Sequence, residues 1–106
     1  MKIIEIINLI KEINSVESLF NFFNLDIDSE FIWMIYAREV LDLNSEVELF
    51  SEEETEGRLV FEKNGVNYIA FFALDHLWDL LNNEFANYPN DETLGNRLMH
   101  YRKYDA

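Results

Sequence analysis

Arg58-Leu59-Val60-Phe61-Glu62-Lys63-Asn64-Gly65-Val66-Asn67-Tyr68-Ile69-Ala70-Phe71-Phe72 reads as a β-hairpin, and that reading sets the fold class. Two runs rich in aromatic and β-branched residues flank Asn64-Gly65, the pair that most readily takes the positive φ angles of a two-residue type I′ turn. The turn dictates the register. Lys63 faces Val66, Phe61 faces Tyr68 and Leu59 faces Ala70, so Leu59, Phe61, Tyr68 and Ala70 are expected to share one apolar face.

Upstream of the hairpin, Glu46-Val47-Glu48-Leu49-Phe50 alternates polar with apolar residues, as a half-exposed strand does. Val47 and Leu49 point inward, Glu46 and Glu48 outward. With the hairpin this strand makes a three-stranded antiparallel meander, whose edge lies at Glu46 or at Val66–Phe72 and can accept a partner's strand. Between them runs an acidic loop, Glu52-Glu53-Glu54-Thr55-Glu56.

The segment before the sheet reads as three N-terminal helices. Ile3, Ile6, Ile7, Ile10 and Ile13 recur at helical spacing over Lys2 to Ile13, and polar residues return every three or four positions rather than every second. Ser15 is placed to cap a second helix, Val16 to Asn24, with Leu19, Phe20, Phe22 and Phe23 facing inward. Asp28 or Ser29 caps a third, Glu30 to Leu43, in which Phe31, Ile32, Trp33, Met34, Ile35, Tyr36 and Ala37 are apolar without interruption. A helix apolar on most sides belongs at the centre of a domain, packed on the sheet.

Two C-terminal helices follow the hairpin. Leu77, Trp78, Leu81 and Phe85 group on one side of Asp75 to Ala86, and Asp75, His76, Asp79, Asn82 and Asn83 on the other. Tyr88-Pro89 stops that helix. Asp91 caps the last one, where Leu94, Leu98 and Tyr101 form a narrow apolar stripe and Arg97, Arg102 and Lys103 complement the helix dipole. The expected fold is thus α+β in a single domain spanning 1–106: three helices, a three-stranded antiparallel meander, two helices.

Composition narrows the function classes. Twenty-one acids against eight bases give a net charge of −13, and residues 26–62 carry most of it, with twelve acids and two bases. Such a field repels nucleic acid and anionic lipid and steers basic partners inward. The chain has no cysteine, which removes disulfides and thiol nucleophiles and points to a reducing, cytoplasmic compartment. The longest apolar run, Phe31 to Ala37, is far short of the ~20 residues that span a bilayer, so no membrane partner is expected. His76 and His100 have no metal-ligand spacing, and no phosphate loop, glycine-rich fingerprint or nucleophile motif occurs. No catalytic residue, metal or cofactor is expected, and the chain is not read as an enzyme.

The acids themselves are the candidate site. Glu46, Glu48, Glu52, Glu53, Glu54 and Glu56 fall within eleven residues with no base among them. They read either as a solvated loop or as a docking patch for lysines and arginines of a partner. A calcium loop would require a turn glycine and interleaved ligands that this run lacks.

Leu74-Asp75-His76-Leu77-Trp78-Asp79-Leu80-Leu81, followed by Tyr88-Pro89, resembles the inhibitory helix of the barstar family, acidic immunity proteins that block a ribonuclease. The likeness rests on Leu74, Asp75, Leu77, Trp78, Asp79 and Leu81. It covers residues 74–89 only, and the antiparallel hairpin departs from the parallel barstar sheet. The resemblance implies that Asp79 and Asp75 face basic active-site residues of a nuclease, with Trp78 as an aromatic anchor. The reading is therefore an immunity protein that occludes a basic toxin nuclease domain. A phage-type nuclease inhibitor or DNA mimic is the first alternative, and an adaptor that self-associates through a sheet edge the second.

Overall fold

The computed structural model describes residues 1–28, 30–89 and 92–105. In chain order it contains α1 (Ile3–Glu12), α2 (Val16–Phe22), β1 (Trp33–Arg38), β2 (Val47–Ser51), the single-turn α3 (Glu52–Thr55), β3 (Val60–Lys63), β4 (Val66–Ala73), α4 (Leu74–Asn82), α5 (Glu92–His100) and a π-helical turn, Tyr101–Asp105. The class is α+β, as expected. The sheet is not the expected meander: it has four antiparallel strands in the order β2-β1-β4-β3.

The extra strand comes from the segment read as a third helix. Residues 31–37 form no helix; Trp33–Arg38 is the strand β1, paired with β2 on one side and β4 on the other. A short unbroken apolar run suits a buried helix and a buried strand equally by pattern, and here both strand faces are covered. Ile35 and Ala37 enter the helix-side core, while Met34 and Tyr36 enter a second cluster on the opposite face. The strand from Glu46 therefore pairs with β1, not with the hairpin, and β4 is interior rather than an edge. The expected caps at Ser29 and Asp91 lie outside the described residues.

The Asn64-Gly65 turn forms as expected, with both residues at positive φ, and pairs Lys63 with Val66 and Phe61 with Tyr68. Leu59 departs from the expectation. Its carbonyl still accepts from the Ala70 N–H at 2.9 Å, but its side chain is 67% exposed, because β3 begins only at Val60.

Between Met34↔Ala73 and Tyr36↔Ala70 the register slips by one residue, so that Phe71 and Phe72 together oppose Ile35. Such a bulge breaks the alternation of faces. Both phenylalanines consequently enter the helix-side core, which a regular strand would not allow. Arg102 Nε donates to the Ala70 carbonyl beside the bulge at 2.9 Å, where the expectation had left that arginine to the helix dipole.

Helices α1, α4 and α5 cover one face of the sheet. The isoleucine stripe of α1 is fully buried at Ile3, Ile6, Ile7 and Ile10, against Leu74, Leu77 and Leu81 of α4 and Leu94 and Leu98 of α5. The first amides of α1 donate to the carbonyls of Ser45 and Leu43, so the 39–46 connection stands in for a side-chain cap. Ser15 caps α2 through the Ser18 N–H. Leu19 and Phe20 of α2 are buried, whereas Phe22 is 53% exposed and meets Phe23 edge-on instead of facing inward. Helix α4 ends at Asn82, earlier than expected, where the Asn82 and Asn83 carboxamides donate back to the Trp78 and Asp79 carbonyls. Phe85 is nevertheless buried.

The other face is closed by the sheet itself. Strands β2 and β3 are at opposite edges, about 14 Å apart in a flat sheet. Yet the rings of Phe50 on β2 and Phe61 on β3 are 5.3 Å apart, so the sheet is curled around Tyr36, Phe50, Tyr68 and Ala70.

Candidate functional site

β2 and β3 are opposite edges, and the chain passes from one to the other over the inner face, where the Tyr36 hydroxyl meets it. Residues 52–59 make that crossing. The acidic segment read as a loop begins instead with the helical turn α3, capped by the Ser51 hydroxyl accepting from the Glu54 N–H. Glu56 then turns the chain through a left-handed conformation, and the Tyr36 hydroxyl donates to the Arg58 carbonyl at 2.6 Å. Lys63, at the hairpin tip, reaches Glu54 at 2.7 Å and lies 5.2 Å from the centre of the Phe50 ring. The acids ride on a crossing anchored to the inner core.

These contacts sort the six expected glutamates. Glu46 holds the N-terminal ammonium at 2.9 Å, Glu54 holds Lys63, and Glu56 meets Arg58 at 3.5 Å. The hydrogen bond from the ammonium lowers the Glu46 pKa below its ordinary value, and the same contact raises that of the ammonium. Hydrogen bonding to Glu54 raises the Lys63 pKa. The run is therefore not without local bases. Among the described residues, Glu48, Glu52 and Glu53 have no ion-pair partner. Glu46 also stands apart in space: the five residues of β2 separate it from Glu52 by about 20 Å along the strand.

Glu52 and Glu53 meet residues that the helical reading of 30–43 concealed. With Glu30 and Glu56 they line a depression of about 470 Å³ around Phe31 and Ile32. Phe31 is 48% and Ile32 49% exposed, and the Glu52 N–H donates to the Ile32 carbonyl, locking the two segments side by side. Four carboxylates line the depression around the exposed apolar pair, and among the described lining residues there is no base, although Glu56 meets Arg58 nearby. An exposed hydrophobic patch with a charged rim is characteristic of a protein-docking surface. The signal that could have found it is the same apolar run, read as a strand with its first two residues outside the sheet.

The barstar-like residues belong to the other layer. Asp75 and Asp79 are exposed, one turn apart on α4, and Trp78 is half-buried, packed against the helix-side core. Asp75 Oδ1 accepts from the His76 N–H at 2.9 Å, and the His76 ring stands edge-on to Phe72 at 5.5 Å. Ser51 and Ala73, the last residues of β2 and β4, flank the start of β1, so α3 and α4 leave the same end of the sheet about 10 Å apart, toward opposite faces. Asp75 is thus at the same end as Glu52, and Asp79 lies one turn farther away.

Among the described residues no group of three or more His, Cys, Asp or Glu side chains is arranged to hold a metal ion, and no helix is long and apolar enough to cross a membrane. Compared with protein-family models, with curated proteins and with solved structures, the chain gives no match.

Proposed function

We propose that this chain is an immunity-type inhibitor that docks on a basic toxin nuclease domain and occludes its substrate surface. The observation that supports it is the depression around Phe31 and Ile32, apolar at its centre and bounded by Glu30, Glu52, Glu53 and Glu56. The apolar pair supplies contact area, and the carboxylates occupy the positions that nucleic-acid phosphates take on the partner's lysines and arginines. Asp75, at the same end of the sheet, extends the acidic surface, with Asp79 and Trp78 at its margin on α4. No catalysis, metal or cofactor is required of the inhibitor. Association is fast and salt-sensitive, because opposite fields steer the encounter.

The test is capture of partners from a lysate of the source cell at low salt, followed by nuclease assay of the captured protein with and without added inhibitor. A basic nuclease silenced at equimolar inhibitor supports the reading. An unaffected nuclease, or partners without basic character, refutes it. Self-association through the sheet edge is the second reading, favoured by Leu59 and Val60, 67% and 57% exposed at the start of the edge strand β3. That reading predicts a concentration-dependent dimer indifferent to salt.

A further inference from the structure

A second cavity, remote from the acidic crossing, opens between α1, the 39–46 connection and α5, with a volume of about 530 Å³. That is within the range of small-ligand pockets. Three carboxamides line it from three separate segments: Asn8 of α1, Asn44 of the connection and Asn96 of α5. None of these side chains hydrogen-bonds another described residue. Ile4, Leu41, Leu43 and Met99 supply the pocket's apolar lining.

Three charged residues line this pocket: Asp42 of the connection, whose carboxylate already accepts from the Asn44 N–H, and Glu92 and Lys103 along the α5 wall. Glu92 opens α5, and Lys103 follows in the π-helical turn, so an anion and a cation line the same pocket about 15 Å apart along the helix axis. Among the described residues neither has an ion-pair partner. That spacing matches about five residues of extended chain. A carboxamide can accept from the N–H and donate to the C=O of one extended residue. The net charge of −13 disfavours an anionic ligand and Lys103 a purely cationic one, whereas a dipolar ligand satisfies both ends. The wall is also closely packed. A Cβ on Gly95 would come within 2.9 Å of Leu43 Cδ1, showing how tightly α5 is pressed on the connection.

From this arrangement we propose that the pocket binds a short extended peptide with free termini, its carboxylate at Lys103, its ammonium at Glu92 and its backbone paired with the three asparagines. The occupant is separate from the nuclease partner, so the inference stands or falls independently of the inhibitor reading.

The experiment is an NMR titration of the ¹⁵N-labelled protein with the pentapeptide Ser-Gly-Ala-Ser-Gly, compared with the same peptide acetylated and amidated. The side-chain NH₂ signals of Asn8, Asn44 and Asn96 are expected to shift saturably with the free peptide, and blocking its termini to weaken binding about tenfold, the worth of a charge-assisted contact. Lys103→Glu, an exposed substitution, should weaken the free peptide by a similar factor while leaving backbone signals outside the pocket unmoved. The proposal is overturned if the three amide signals stay fixed, if free and blocked peptides bind alike, or if Lys103→Glu leaves the affinity unchanged.

Discussion

Ile35 and Tyr36 are neighbours in β1 and both are inaccessible to solvent, yet different parts of the chain bury them. Ile35 faces the helix layer, where eighteen of the described residues form a continuous buried core. Tyr36 faces the inside of the curled sheet, in a cluster of four buried residues closed by the acidic crossing. The comparison separates two tasks. The helix side holds the larger buried core, whereas the inner face ties down the acidic segment through the Tyr36 hydroxyl. Damage on one side should unfold the protein; damage on the other should first loosen the acidic segment.

Four measurements press on that division. Leu77→Ala removes a fully buried side chain from the helix-side core and should cost about 2–5 kcal/mol in chemical denaturation. Tyr36→Phe deletes the hydroxyl that donates to the Arg58 carbonyl and should cost about 1 kcal/mol. Its sharper signature is hydrogen exchange, with residues 52–59 exchanging faster than the amides of α1 and α4. If Leu77→Ala loosens 52–59 selectively and Tyr36→Phe does not, the two faces are not divided as described. Charge reversal at Glu52 and Glu53, both exposed, should change stability by no more than about 0.5 kcal/mol while abolishing retention of a basic partner at low salt.

The smallest effect is that of pH on the surface pairs. The raised amine pKa of Met1 contributes stability that is complete below its unfolded value and fades as pH rises through the folded one. The lowered Glu46 pKa contributes above the ordinary carboxylate value and fades as pH falls through the folded one. Thermal melts of Glu46→Gln should therefore differ from the parent between these limits and converge outside them.

What the sequence disclosed depended on whether one periodicity could be told from another. Asn64-Gly65 admits few alternatives, and the hairpin register followed from it. The isoleucines of α1 and the Ser15 cap were equally readable. Phe31 to Ala37 was not, because a strand buried on both faces loses the alternation that identifies strands, and the error displaced one strand and the whole sheet order. The depression around Phe31 and Ile32 is hidden by the same error, since a helix over 30–43 places both residues within it. The bulge that turns Phe71 and Phe72 to the same side has no local signature. Nor could composition show that Glu46 and Glu54 meet charges within the chain, since those contacts depend on the N-terminus lying beside β2 and on the hairpin tip reaching α3, whereas the Glu56–Arg58 contact is local.

The central claim is that docking is confined to the end of the sheet bearing Phe31, Ile32, Glu52 and Glu53. Its most direct measurement is the affinity for the captured basic nuclease as a function of salt, for the parent, for Glu30→Lys/Glu52→Lys/Glu53→Lys and for Glu46→Lys. Binding should be lost in the triple variant at every salt concentration, while Glu46→Lys keeps nearly the parent affinity and salt slope. Equal losses in both variants would mean that the partner senses only overall charge, and the depression would not be its docking site.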